Sequence, residues 1–320
     1  MLPLPTSQED IQALIKERDR YRRECDIFKV EKKQLLKENI NARRFQYVPA
    51  GHFYSPIPDL DDVHHRAESL FAINRHSAPG VNLNEAAQLS LLETFAGYYR
   101  DLPFPETQSS GHRYFYLNPA YGYSDAICLY SMLRHLQPRR MIEVGSGYSS
   151  CATLDTNERF FQNRLACTFI EPYPQLLESL LLPGDRERLT LLPTPLQAVP
   201  VETFQCLQAN DILFIDSTHV SKIGSDVNYI FFQLLPSLAA GVYIHFHDIF
   251  FPFEYPQAWV MEGRAWNEAY LLKSFLQFND TFEIVFFNTF LEMFHADKFE
   301  KLMPLCLKNP GGSIWLKKIK

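Results

Sequence analysis

From about residue 120 onward the chain alternates short apolar runs with segments of helical spacing. Seven runs read as strands: Arg140–Val144, Ala166–Ile170, Leu189–Leu192, Asp211–Ile215, Val242–His247, Phe282–Phe287 and Ser313–Lys318. Several are continuous stretches of β-branched and aromatic residues, the pattern of strands covered on both faces. Between them, Tyr173–Leu182 and Asn228–Leu238 place apolar residues at helical intervals. The alternation predicts a doubly wound, parallel α/β sheet. The last two strands break the rhythm, because the stretch joining them reads as long and irregular, with little room for a crossover helix.

The first 47 residues follow a different pattern. They lack glycine, are rich in Glu, Lys, Arg and Gln, and carry no helix breaker after Pro5. Alternating steps of three and four from Ile11 give one apolar column (Leu14, Tyr21, Phe28, Leu35, Ala42) and one interrupted by Arg18, Lys32 and Asn39. This predicts a helix of roughly 50–55 Å and an imperfect coiled coil that serves a homo-oligomer; a single amphipathic helix lying on its own domain is the alternative. Residues 48–117 read as a wrapping segment, extended around Pro56 and Pro58, and residues 118–320 as the main domain. His64 and His65 lie beside Asp61 and Asp62, but adjacent residues on a helix point apart, so they are assigned to the surface.

The densest chemistry lies where the first strand ends. Residues 141–150 read Met-Ile-Glu-Val-Gly-Ser-Gly-Tyr-Ser-Ser. Gly145 and Gly147 permit a tight turn and close approach of a ligand, and Ser149, Ser150, Cys151 and Ala152 then open a helix. The loop therefore sits at the carboxyl end of a strand, where open α/β sheets bind ligands. Two nucleotide-type readings compete. A dinucleotide fingerprint wants glycine where Ser150 stands; the alternative takes Glu143 as the partner of a cationic ligand group, since a carboxylate suits a pyrophosphate poorly. Strand two ends at Glu171, 24 residues after Gly147, where a carboxylate can accept hydrogen bonds from two ribose hydroxyls.

The acid-x-Gly-x-Gly pattern of Glu143, Gly145 and Gly147 resembles motif I of the class I S-adenosylmethionine (SAM) methyltransferases, with Ser149 where that family carries a third glycine. The resemblance covers roughly residues 110–320. It implies a Rossmann-like seven-stranded sheet whose last strand is antiparallel and inserted beside its predecessor. It implies SAM as cofactor, held by Glu143, Gly145, Ser146, Gly147, Ser149, Glu171 and Asp216, with Glu143 near the methionine portion. By the same resemblance Tyr123 and Asp125, before strand one, fold over SAM as a lid, while Leu196 and Gln197, after strand three, line the adenine.

Strand four ends in Asp216, followed by Ser217, Thr218 and His219; strand five ends His245-Phe246-His247-Asp248. Both ends are expected on the ligand-binding edge. Alternation puts His245 and His247 on one face, and His245 reads as a satisfied core residue. Asp216, His247 and Asp248 form a candidate metal set; carboxylates with imidazole suit manganese, iron or zinc, whereas an all-oxygen set suits magnesium. His219 is left as a general base. These two motifs resemble a branch that includes macrocin-type sugar O-methyltransferases and cephalosporin-hydroxylase-like proteins, which carry Asp-x-x-His after strand four and Glu-Asp after strand five and bind magnesium. Asp216 and Asp248 keep the ligand positions and His219 the base position, but His247 replaces the glutamate.

The function expected from this is methyl transfer from SAM to a hydroxyl or amine of a small-molecule or glycan-type acceptor, with His219 and Asp216 catalytic. The aromatic stretch 250–256 reads equally as a wall of the acceptor pocket or as a buried connection, and Trp259, Arg264 and Trp266 follow within reach of the same cleft. Two other classes stay open: an oxidative, metal-dependent enzyme on the same fold, and a non-catalytic oligomeric scaffold. Composition narrows the partners. A net charge of −6 gives no electrostatic footprint for nucleic acid. No apolar run approaches a membrane span and Met1-Leu2-Pro3 begins no signal peptide, so no membrane partner is expected. The six cysteines form no close pairs and read as reduced thiols in a cytoplasm.

Overall fold

A computed structural model describes residues 8–44, 46–73 and 78–320. The chain divides into two compact units, Met1–His65 and Arg66–Lys320. In the first, Gln8–Arg44 is one unbroken helix of 37 residues, as the absence of Gly and Pro predicts. The short helix Leu60–His65 buries Val63, and His64 and His65 are exposed.

The second unit is built on a seven-stranded sheet: β1 (Arg140–Val144), β2 (Ala166–Ile170), β3 (Thr190–Leu192), β4 (Ile212–Ile215), β5 (Tyr243–His247), β6 (Phe282–Phe287) and β7 (Ser313–Lys318). Their order is β3-β2-β1-β4-β5-β7-β6. β1 to β5 run parallel, and β7 lies antiparallel to both β5 and β6. Every residue of β4 and β5 is buried, which is why these strands read as unbroken apolar runs. The reversal of chain order on either side of β1 and β4 opens a crevice at their carboxyl ends, the usual ligand position in such sheets.

Two local features depart from the sequence reading. The stretch between β6 and β7 is not irregular: it forms the helices Asn288–Phe294 and Ala296–Leu302 and a 3₁₀ turn Pro304–Lys308. His295, at φ −139°, separates the two helices, so neither is long enough to show a helical period. Because β6 and β7 are antiparallel neighbours, no crossover is required. The helical region expected at Asn228–Leu238 begins at Asp226 and widens to a π turn over Ile230–Leu234. Pro236, which has no N–H to donate to the preceding turn, stands two residues beyond it.

Candidate active site

Three strand ends build the site. The main chain is locked across them, with Gly145 N–H donating to the Ile170 carbonyl at 3.0 Å and Asp216 N–H to the Val144 carbonyl at 2.8 Å. Gly145 has φ +81°, and a Cβ there would lie 2.3 Å from the Asp216 carbonyl oxygen. Only glycine permits both the turn and this approach. Beneath the loop Glu143 is fully buried and accepts a hydrogen bond from the Ser149 hydroxyl at 2.5 Å. Its Oε2 finds no hydrogen-bond partner among the described residues. Burial pushes the Glu143 carboxyl up to about 8, against hydrogen bonds from Ser149 and Ser150.

Glu171, at the end of β2, accepts the backbone N–H of Tyr173 at 2.8 Å and of Ser146 at 3.3 Å. With Gly145, Leu196, Gln197, Asp216 and Thr218 it lines a cavity of about 410 Å3. Gln197 donates its side-chain amide to the Gly224 carbonyl. Gly147 holds the helix start through its N–H to the Ser150 hydroxyl. The structure therefore brings Glu171, Gly145, Gln197 and Asp216 to one cavity, with Ser146, Gly147 and Ser149 in the loop and helix start beside it and Glu143 in β1 beneath them.

Tyr123 and Asp125 lie elsewhere. Both line a second cavity of about 540 Å3, whose wall also includes His247, Asp248, Trp259 and Arg264. Tyr123 stacks on Tyr116 with centroids 4.5 Å apart and donates its hydroxyl to Glu106. Asp125 accepts the N–H of Gly312 at 3.1 Å and faces His247 Nε2 at 3.6 Å. A Cβ on Gly311 would meet the Asp125 carboxylate at 2.5 Å. Asp125 thus anchors the loop leading into β7, and the structure does not place it with Glu171.

Between the two cavities the ionisable groups crowd together. His219 Nε2 lies 3.5 Å from Asp216 and 3.6 Å from Asp248, and Nδ1 lies 2.9 Å from Glu268. His247 Nδ1 lies 3.5 Å from Asp216 and 3.7 Å from Asp248. Burial alone would lower the His219 pKa, but the carboxylates of Asp216 and Glu268 outweigh it and push the ring up to about 10. His247 is raised for the same reason, chiefly by the charges of Asp248 and Asp216 against its own burial. Asp216 is held below the usual carboxylate range, its burial outweighed by His247 and His219. His219 (φ +59°) and Asp248 (φ +55°) both occupy the left-handed region, at a cost of roughly 1–2 kcal/mol each. Strain of this kind concentrates at functional sites.

Sequence reasoning missed Glu268. It begins a helix 49 residues beyond His219 and is fully buried; its backbone N–H and that of Asn267 both donate to the His219 carbonyl. Trp266 packs on the His219 ring at 4.4 Å, which settles the direction of that residue. His245 is a core residue, stacked on Phe214 at 3.8 Å and against Trp315, and burial keeps it neutral. Among the described residues, the acids and histidines close enough together to be able to hold a metal ion are Asp216, His219 and Asp248, whose donor atoms lie within 4.8 Å of one another. That group contains His219, where the sequence reading had placed His247.

The family described as "Methyltransferase domain" matches residues 142–249, the span from β1 to the end of β5. An uncharacterised protein of Archaeoglobus fulgidus is 32% identical over 180 residues, covering 55% of this chain and 80% of the relative. This chain belongs to the class I SAM methyltransferase family. The fold described above is that of such a methyltransferase. Solved structures similar to it include SAH-bound methyltransferase PaMTH1 of Podospora anserina (14% identity, 79% of this chain and 99% of that one, TM-score 0.40). Another is the O-methyltransferase TomG of Streptomyces achromogenes, involved in tomaymycin synthesis and solved with SAM (16%, 81% and 96%, TM-score 0.39). A third is CmcI in its apo form (16%, 67% and 76%, TM-score 0.41). No helix among the methyltransferase's described residues is long and apolar enough to cross a membrane.

Proposed function

We propose that this methyltransferase acts on a hydroxyl of a small-molecule or sugar-type acceptor, with His219 as the general base and Glu268 as its positioning partner. The observation that carries the reading is the place of His219. Asp216 lines the 410 Å3 cavity and Asp248 the 540 Å3 cavity, and His219 Nε2 is within 3.6 Å of both carboxylates. A methyl transfer needs a base where the donor and acceptor sites meet.

The smaller cavity fits SAM. Gly145 lines it without a side chain, Glu143 Oε2 is a buried oxygen with no hydrogen-bond partner among the described residues, and Glu171 presents a carboxylate at the β2 end. Glu143, Gly145, Glu171 and Gln197 are its holders in this reading. SAM, when bound, supplies an electrophilic methyl on a sulfonium and needs no further activation. The larger cavity, walled by Tyr116, Tyr123, Phe250 and Trp259, suits the face of a ring, while Asp125 and Asp248 accept hydrogen bonds from hydroxyls. Glu268 takes Nδ1–H of His219, leaving Nε2 to receive the acceptor proton. The chain self-associates through its first helix.

Product mass after incubation with SAM and hydroxylated acceptors tests the reaction, a gain of one methylene being the expected result. His219→Ala should retain binding of S-adenosylhomocysteine (SAH) and lose turnover by roughly 10²-fold or more; a variant that keeps wild-type turnover refutes the base assignment. The compact Asp216, His219 and Asp248 group favours a second reading, in which those residues hold a divalent ion that lowers the acceptor's pKa. Manganese, iron or zinc would suit that set. Chelator treatment separates the two: turnover that survives it supports His219 as base, and turnover lost and then restored by the ion supports His219 as ligand.

A further inference from the structure

The helix Gln8–Arg44 leaves a column of large apolar side chains in solvent. Leu14 and Tyr21 are each 52% exposed, Phe28 68% and Leu35 64%. They recur at every seventh residue, so they lie along one seam of a gently supercoiled helix. Arg18, Cys25 and Lys32 form the alternate column of the same seam. Fixing the seam also fixes the rows that border it. One border is Glu17, Glu24, Glu31 and Glu38; the other is Ile15, Arg22, Lys29, Leu36 and Arg43. A four-glutamate row facing a largely basic row is a pattern that a single solvated helix has no need of.

We propose that the occupant of this seam is a second copy of the chain, joined as a parallel, in-register, two-stranded coiled coil. The proposal rests on the self-association stated above and adds its orientation. In a parallel pair each residue of the acidic row faces the partner residue five positions further on in the basic row. Glu17 then meets the partner's Arg22 and Glu24 the partner's Lys29. Glu31 meets the partner's Leu36, against whose side chain its methylenes pack. An antiparallel pair would set glutamate row against glutamate row and basic row against basic row, so charge selects the parallel form. Pairs already within the helix, Arg20 with Glu24 at 3.4 Å and Lys29 with Asp26 at 3.0 Å, are exposed and weak and do not oppose it. Ile15 (39% exposed) and Leu36 (53%) widen the apolar face toward its two ends. Arg18 and Lys32 hold the strength of the dimer down, their stems covering the seam while their heads reach water.

The full-length chain tests this. Light scattering should give twice the 37.2 kDa chain mass, and Tyr21→Asp with Phe28→Asp should give the monomer. For orientation, Leu14→Cys in a Cys25→Ser background should form a disulfide-linked dimer under mild oxidation. An antiparallel helix pair would hold those two thiols roughly 36 Å apart. A variant with Glu17→Lys and Glu24→Lys, and another with Arg22→Glu and Lys29→Glu, should each dimerise about tenfold more weakly, and their mixture should recover. A monomeric wild type overturns self-association and the proposal together. A dimer that does not cross-link at position 14, or charge variants that do not recover on mixing, overturn the parallel pairing and leave self-association standing.

Discussion

Replacing Glu268 with glutamine probes a contact that sequence reasoning did not anticipate. The His219 Nδ1 to Glu268 Oε2 distance is 2.9 Å, and the two side chains are 5% and 1% exposed, so solvent screens the pair little. Glutamine keeps an acceptor oxygen and removes the charge. A hydrogen bond to a charged group is worth about 1.5–3 kcal/mol, and one pKa unit corresponds to about 1.4 kcal/mol. The His219 pKa, about 10 in the wild type, should therefore fall by about one to two units in Glu268→Gln. Asp216 remains and holds it above the ordinary histidine value. A base works neutral, so the rise of kcat with pH should shift to lower pH by the same amount. The stability effect has a definite sign. The folded pKa exceeds the unfolded value of 6.5, so the stabilisation is complete below about pH 6.5 and is lost as pH climbs toward about 10. In the variant that loss should still begin near pH 6.5 but be complete about one to two units earlier, and be correspondingly smaller in total. The pH–rate profile and urea unfolding across the same pH range read both effects. A profile that stays in place, or moves to higher pH, refutes the assignment of His219 and Glu268 as a working pair.

Other substitutions test the surrounding architecture. Gly145→Ala should destabilise the protein by at least about 1–3 kcal/mol from backbone strain alone and abolish SAH binding, as measured by denaturation with and without the ligand. Glu171→Gln should weaken SAH binding roughly tenfold or more by calorimetry, with kcat at saturating SAM little changed. Arg113 is buried among Asp155, Glu158 and Asp185 at 2.5–2.8 Å. Arg113→Met should cost about 3–5 kcal/mol by stranding buried carboxylates, seen as a lower denaturation midpoint.

The sheet was legible because its strands are covered on both faces, which leaves uninterrupted apolar runs in the sequence. Leu189, Asp211 and Val242 fall just outside their strands; Asp211 instead accepts the N–H groups of Arg139 and Arg140 with its side chain. Asp216, His219 and Asp248 could be found because they sit at strand ends, where topology alone converges them. Glu268 could not, since it reaches His219 only through the folding of the long connection after β5, a path no periodicity encodes. Asp125 was equally opaque. The family resemblance implied a lid contact with the cofactor for it, and nothing in the sequence pointed to the hydrogen bond its carboxylate accepts from Gly312, 187 residues away.

β7 is the last strand in the sequence, but it sits in the interior of the sheet, wedged between β5 and β6. During synthesis the ribosome releases β5 and β6 while the ribbon that must separate them is still inside the tunnel. Until residues 313–318 emerge, β5 offers an open hydrogen-bonding edge beside the half-built crevice that holds His247 and Asp248. A chain stalled before that point leaves the β5 edge unpaired, the kind of edge that templates aggregation.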